Sequence, residues 1–284
     1  MAGDDGLRIG ALDGAPSRVV ASRQSRPDRP ADACPFCPGG AAAPDTYDVH
    51  AFVNNWPPLP DDRAEVVLHH PDHHLAFGDL DPAHARRVVD LWAERSTELG
   101  SRDDVAHVLV FENRGAAVGA TIDHPHSQIY AFADVPPAVL DEFANARSDA
   151  FVVDEALQVA RVGTWSASVP HAPKWPFELL LAPDTESPDL PSLEPASRDA
   201  FAALLVDALG RLDRLFDTAM PYMLWIHQRP FDGIERRPIR LHAHVAPLLR
   251  APDTARYVAA GELGSGVWFD PIDPIDAAAR LREC

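Results

Sequence analysis

A chain of 284 residues that is 46% hydrophobic can bury one large core or two smaller ones. Its 43 acidic residues outnumber 25 basic ones for a net charge of −18, so it lacks the basic face that nonspecific binding to nucleic acid or an anionic membrane requires. With no apolar run of about 18 residues and no charged leader before an apolar stretch, it reads as a soluble cytoplasmic protein, and its 28 prolines fit an enzyme with many ordered loops.

Residues 1 to about 45 read as loop and short strand. They contain Cys34-Pro35-Phe36-Cys37-Pro38-Gly39-Gly40. Three cysteines, one of them the terminal Cys284, cannot make a disulfide framework. A C-x-x-C is a redox pair or half of a metal site. Flanked by Pro and Gly on a loop rather than opening a helix after a strand, this one favours metal, and the 13 histidines can complete a zinc set. Strands are predicted at Tyr47–Asn54 and Glu65–His70, before the cluster His69-His70-Pro71-Asp72-His73-His74. Asp81-Pro82 starts a helix to about Leu99, with Val88, Val89, Trp92 and Leu99 on its inner stripe. A strand at His107–Glu112 leads into a glycine-rich loop and then His124-Pro125-His126-Ser127-Gln128-Ile129-Tyr130. Strand periodicity would put His124 and His126 on one face, and Pro125 argues for an edge strand or one beside an opening. Two such imidazoles can divide the labour between holding a metal and attacking a phosphorus atom, which suits nucleotidyl transfer.

The second half repeats the order. A strand is expected at Lys174–Leu181 and a helix over roughly Glu194–Phe216, with Phe201, Leu204, Leu205, Leu209, Leu212 and Phe216 at helical spacing. Then come a strand at Tyr222–His227, a polar loop, and a second H-x-H strand, Leu241-His242-Ala243-His244-Val245. Aligned from His124 to His242, this is an internal duplication. It implies an α+β fold with two similar halves, 1–150 and 151–284, on one mixed or antiparallel sheet covered by helices.

With these residues in view, the chain resembles the galactose-1-phosphate uridylyltransferases of the histidine-triad superfamily. The resemblance runs from about Arg23 to the C-terminus. It is carried by Phe111-Glu112-Asn113-x-Gly115-Ala116-Ala117, His124-Pro125-His126-x-Gln128, Trp175-Pro176-Phe177-Glu178 and Leu241-His242-Ala243-His244. It implies a duplicated histidine-triad (HIT-like) fold, zinc knuckle and catalytic strand in the first half and further metal histidines in the second. It also implies a homodimer with active sites near the subunit interface.

The implied reaction moves a uridylyl group from UDP-glucose to galactose 1-phosphate through a uridylyl-histidine. His126 is the expected nucleophile, and the Gln128 amide donates to a phosphoryl oxygen. Asn113, Gly119 and Thr121 match phosphate-loop positions, with Thr121 where serine is commoner, and Arg23 and Arg26 match arginines that meet the nucleotide. Cys34, Cys37, His73 and His124 match a structural zinc site, with His69, His70 and His74 as alternatives to His73. Glu142, His227, His242 and His244 match a second site that takes iron or zinc. Arg256 and Glu262 match a hexose-contacting loop, the arginine for the hexose phosphate and the carboxylate for sugar hydroxyls. Here Arg256 and Tyr257 stand for Lys and Phe of some members, and Gly261 for tyrosine, so the acceptor is the less determined half of the reaction. A related nucleotidyltransferase or nucleotide-sugar phosphorylase is the alternative expectation, and a silent zinc-stabilised scaffold is opposed by intact His126 and Gln128.

Overall fold

The computed structural model describes residues 6–25, 33–147, 149–236 and 240–284. A small hairpin, β1 (Leu7–Ile9) and β2 (Pro16–Arg18), precedes the main body. Thereafter the order is β3 (His50–Val53), β4 (Ala64–Leu68), α1 (Pro82–Gly100), β5 (His107–Arg114), β6 (His126–Phe132) and α2 (Pro137–Asn145). The second half runs β7 (Gln158–Val162), β8 (Trp165–Ser168), β9 (Leu179–Pro183), α3 (Pro195–Leu215), β10 (Tyr222–His227) and β11 (His242–Pro247). A short hairpin, β12 (Leu249–Ala251) and β13 (Thr254–Ala255), leads to α4 (Ala260–Ser265) and α5 (Pro274–Glu283).

Nine strands form one sheet in the order β3-β4-β6-β5-β10-β11-β9-β8-β7, and every neighbouring pair is antiparallel. The order reads alike outward from the β5–β10 seam, with β7 added at one end. The expected α+β duplication is therefore what the sheet shows, in its antiparallel form.

The two H-x-H pairs lie one strand out from that seam on either side. Phe111 faces Trp225 across it; Phe111 pairs outward with Gln128, and Trp225 with His244, so Gln128 and His244 lie on one face of the sheet. His126 and His242 share a local geometry: His126 Nδ1 donates to the His124 carbonyl and His242 Nδ1 to the Arg240 carbonyl, both at 2.7 Å.

Alternation along the strands separates two faces. On one, Val67, Val108, Val110, Ile129, Ala243 and Val245 join the α1 and α3 stripes in a single core. Trp92 of α1 stacks on Phe77 at 5.6 Å, and Trp165 of β8 on Phe201 of α3 at 4.4 Å. Pro82 at the first turn of α1, with the Asp81 carboxylate accepting from the His84 N–H, starts that helix where the sequence places it. The other face carries His126, Gln128, His242 and His244, with Phe36, Val66 and Leu68 in a smaller cluster beside the cysteine knuckle.

The structure departs from the sequence reading in three places. β6 is interior, flanked by β4 and β5, so of the two alternatives it is the strand beside an opening; it begins at His126, so Pro125 lies just outside the ladder and His124 is not on the strand. Residues 174–178 form a turn rather than the start of a strand, because Pro176 has no N–H to give and Phe177 adopts φ +59. β7 and β8 occupy a stretch without a strong strand signal in the sequence.

Candidate active site

His126 opens β6, and its Nδ1 lies 2.7 Å from the His124 carbonyl oxygen. A carbonyl only accepts, so Nδ1 carries the proton and Nε2 keeps its lone pair. The ring lies at the junction of two openings. One, of about 250 Å3, is lined by Glu112, Asn113, Arg114, Gly115, Ile122 and His124 among others. The second, of about 200 Å3, is lined mainly by Phe36, Phe52, Trp56, Val66 and Ile122, with Asn54, Asn55, Thr121 and Gln128 as its polar groups. Phe36 meets the His126 ring edge-on at 5.1 Å between centroids.

Gln128, two residues along on the same face, lines the second opening and Asn113 the first; Thr121 lines the second. Gly119 follows a short 3-10 turn at φ +89, a conformation that glycine takes without steric cost. Arg23 donates to the Trp56 carbonyl at 2.7 Å, which ties the N-terminal segment to a wall of the second opening. Arg26 lies outside the described residues. The aromatic and amide wall of Phe36, Phe52, Asn54, Asn55 and Trp56 was not singled out from sequence; Asn-Asn-Trp-Pro-Pro after a short strand is its one local signal.

Below the first opening, Glu112 is buried with one oxygen accepting from Tyr222 Oη at 2.8 Å and the other 4.0 Å from His69 Nδ1. Burial pushes its carboxyl up to about 7 and holds His69 well below the usual imidazole range. Ser127, between the two functional side chains, accepts from the Trp92 indole N–H at 2.8 Å and so pins β6 to α1.

Cys34, Cys37, His73 and His124 converge, with all four donor atoms within 4.8 Å of one another. The Cys37 sulfur lies 3.7 Å from Nδ1 of both His73 and His124, and the Cys34 sulfur 3.9 Å from His124 Nδ1. Tetrahedral zinc with ordinary bond lengths separates sulfur and nitrogen by about 3.6 Å, so the donor set fits. His124 Nε2 donates to the His70 carbonyl at 2.9 Å and lies 2.7 Å from Tyr47 Oη, which leaves Nδ1 as the ligand atom. Burial pushes His124 down to about 4, so it is in the neutral form a metal needs. His73 is the cluster histidine that reaches the cysteines; His69 is buried beside Glu112, and the His70 ring lies tilted against that of His84 with centroids 4.5 Å apart.

A second set, Glu142, His227, His242 and His244, also has its donor atoms within 4.8 Å of one another. Glu142 reaches it from α2, 2.8 Å from His227 Nδ1, 3.4 Å from His242 Nε2 and 3.6 Å from His244 Nε2. Burial would raise the Glu142 carboxyl, but the three imidazoles outweigh it and hold it well below the usual carboxylate range. Burial pushes His244 down to about 4.

Arg256 and Glu262 line neither opening. They are buried against each other as an ion pair, and Glu262 also accepts from the Ala259 and Phe269 N–H groups. The arginine stacks on Trp175 at 4.6 Å and Trp268 at 5.4 Å. Within one chain, this loop is not brought to His126, and Glu262 spends its acceptor capacity on its own helix start and arginine.

Sheet and sites together define a duplicated histidine-triad protein, with His126 between two openings in its first half and, in its second, a set of one carboxylate and three imidazoles that could hold a metal. Residues 60–136 match the N-terminal domain of galactose-1-phosphate uridyl transferase and 141–262 its C-terminal domain. The chain is 36% identical over 301 residues to galactose-1-phosphate uridylyltransferase of Streptomyces lividans, covering 95% of this chain and 84% of that one. It is 26% identical over 236 residues to ADP-glucose phosphorylase of Arabidopsis thaliana, covering 77% and 64%. A solved uridylyltransferase structure superposes with a TM-score of 0.88 at 25% identity, covering 98% of this chain and 97% of the other. The chain belongs to the galactose-1-phosphate uridyl transferase family.

Proposed function

We propose that this enzyme exchanges a uridylyl group between UDP-glucose and galactose 1-phosphate through a covalent intermediate on His126. The observation that carries the assignment is the His126 Nδ1 bond to the His124 carbonyl, which leaves Nε2 as the nucleophile at the junction of the two openings. In the first step Nε2 forms a bond to the α-phosphorus of UDP-glucose and the bond to the glucose 1-phosphate oxygen breaks; that product leaves with the electron pair. In the second, a phosphate oxygen of galactose 1-phosphate attacks the same phosphorus and the P–N bond returns its electrons to Nε2. Neither step needs an external base, because the nitrogen enters and leaves neutral.

The apolar opening with Phe36, Phe52 and Trp56 suits a uracil ring, with Asn54 and Asn55 for ribose hydroxyls, and Arg23 and Arg26 belong at the nucleotide's edge. Gln128, Asn113, Gly119 and Thr121 serve the phosphates, whose charge needs donors more than covalent help. Cys34, Cys37, His73 and His124 would hold zinc, a structural cross-link that fixes the His124 carbonyl. Glu142, His227, His242 and His244 would hold iron or zinc.

The enzyme is read as a cytoplasmic homodimer. Tyr257, Leu263, Val267 and Phe269 form an exposed apolar run that a second copy would cover. In such a pair, the Arg256–Glu262 loop would contribute to the hexose end of the partner's site rather than its own. A second reading, a nucleotide-sugar phosphorylase in which inorganic phosphate accepts the nucleotidyl group, is favoured by the likeness to the Arabidopsis ADP-glucose phosphorylase. Incubation of the uridylyl-enzyme with galactose 1-phosphate and, separately, with phosphate tests both. UDP-galactose only in the first arm supports the transferase; product only with phosphate replaces it with the phosphorylase.

A further inference from the structure

The second metal set is incomplete as a list of four ligands, because each imidazole that gives one nitrogen to a metal needs a partner for the other. His242 has one: its Nδ1 donates to the Arg240 carbonyl, which turns Nε2 toward Glu142. His244 presents Nε2 to Glu142 at 3.6 Å, and its buried Nδ1 has no hydrogen bond. The group facing that nitrogen is the carboxylate of Glu178, whose Oε1 lies 4.0 Å away.

Glu178 is itself buried and fixed. Its Oε2 accepts from the Lys174 N–H at 2.6 Å and the Trp175 N–H at 3.1 Å, so the second oxygen is aimed at His244. The turn that presents it holds Phe177 at φ +59, a costly conformation for an aromatic residue, and buries that ring against Phe216 and Arg280. Trp225 stacks on the His244 ring at 4.8 Å, so the imidazole has little freedom to turn elsewhere.

We propose that Glu178 is the positioning residue of the second metal site, accepting the His244 Nδ1–H so that Nε2 is the ligand atom. The role rests on the Glu142–His227–His242–His244 set being a metal site. Because the other Glu178 oxygen holds the backbone of Lys174 and Trp175, the same carboxylate links that metal to the turn on which Arg256 stacks.

Cobalt titration of the full-length protein tests this, because thiolate and imidazole sites give different absorption bands and the two sites are read separately. Glu178→Gln should weaken cobalt at the imidazole site on the order of 10- to 100-fold, with the Cys34/Cys37 site unchanged. In a His244→Ala background, the same substitution should produce no further weakening. Unchanged affinity in Glu178→Gln, or an equal loss with and without His244, overturns the proposal. Should Glu178→Gln fail to fold, Glu178→Asp keeps the charge but retracts it from His244, and the same cycle applies. Wild-type protein that takes up cobalt only at the thiolate site would overturn the metal reading of the four residues and, with it, the role of Glu178.

Discussion

At the scale of single residues, the chemistry turns on one proton. His126→Ala should abolish the one-uridylyl mass increase that UDP-glucose gives the wild-type chain, while nucleotide affinity stays within about tenfold, or 1.4 kcal/mol. An adduct that persists would place the nucleophile elsewhere. Glu112 makes a different prediction. Its folded pKa of about 7 lies above the ordinary 4.5, so between those pH values the folded state holds a proton that the unfolded state has lost. Stability should therefore fall as pH rises through that window, by up to about 1.4 kcal/mol per unit, and then level off. Glu112→Gln, which still accepts from Tyr222, should lose that slope in urea denaturation at a series of pH values; a parallel profile would show Glu112 ionised throughout. Gln128 beside His126, the Cys34–Cys37 pair and the His242–His244 pair were legible because short motifs carry them. Glu142 and His227 came from the family resemblance alone, and the Phe36, Phe52 and Trp56 wall was not legible. The Arg256–Glu262 pairing was not, because a carboxylate's partner six residues away depends on how Trp175 and Trp268 fold over the arginine.

At the scale of elements, the strand that carries His126 is held by a helix on the core side of the sheet. Ser127→Ala would leave the Trp92 indole N–H buried without an acceptor, at a cost of about 1–3 kcal/mol in chemical denaturation. A loss below about 0.5 kcal/mol would mean another group or water takes the proton. α1 and α3 were readable to within a residue or so, since a buried stripe at helical spacing and a proline in the first turn are local signals. The strand nature of β7 and β8 was not readable: Gln158–Val162 and Trp165–Ser168 owe their pairing to β9 and to packing under α3. Lys174–Glu178 looked extended by composition, but the backbone there turns to aim Glu178.

For the whole molecule, the knuckle and the C-terminal segment bear on assembly. If the Cys34 set holds zinc as proposed, Cys34→Ser should lower zinc content and melting temperature together, since the metal's binding energy would also be folding energy; a metal-free variant with the wild-type melting point would separate the two. Leu263→Asp puts a charge in the exposed apolar run and should shift the proposed dimer to monomer in sedimentation velocity, with acceptor-dependent turnover falling more than uridylyl-His126 formation. A variant that remains dimeric would move the interface off this segment. That one sheet holds both halves was foreseeable from their repetition. That the halves meet through β5 and β10 was not, because the hydrogen-bonded seam leaves no trace in residue spacing.

That seam has a consequence for descent. In a symmetric pair made from two copies of one gene, any substitution at the nucleophile strikes both sites at once, and neither can change without the other. Joined head to tail, the copies mutate independently while β5 and β10 keep them in register. On the proposed assignment, one imidazole stays a nucleophile while its counterpart, with its ring nitrogen tied to the carbonyl two residues back, serves as a ligand, a division of labour that joining the halves in one chain permits.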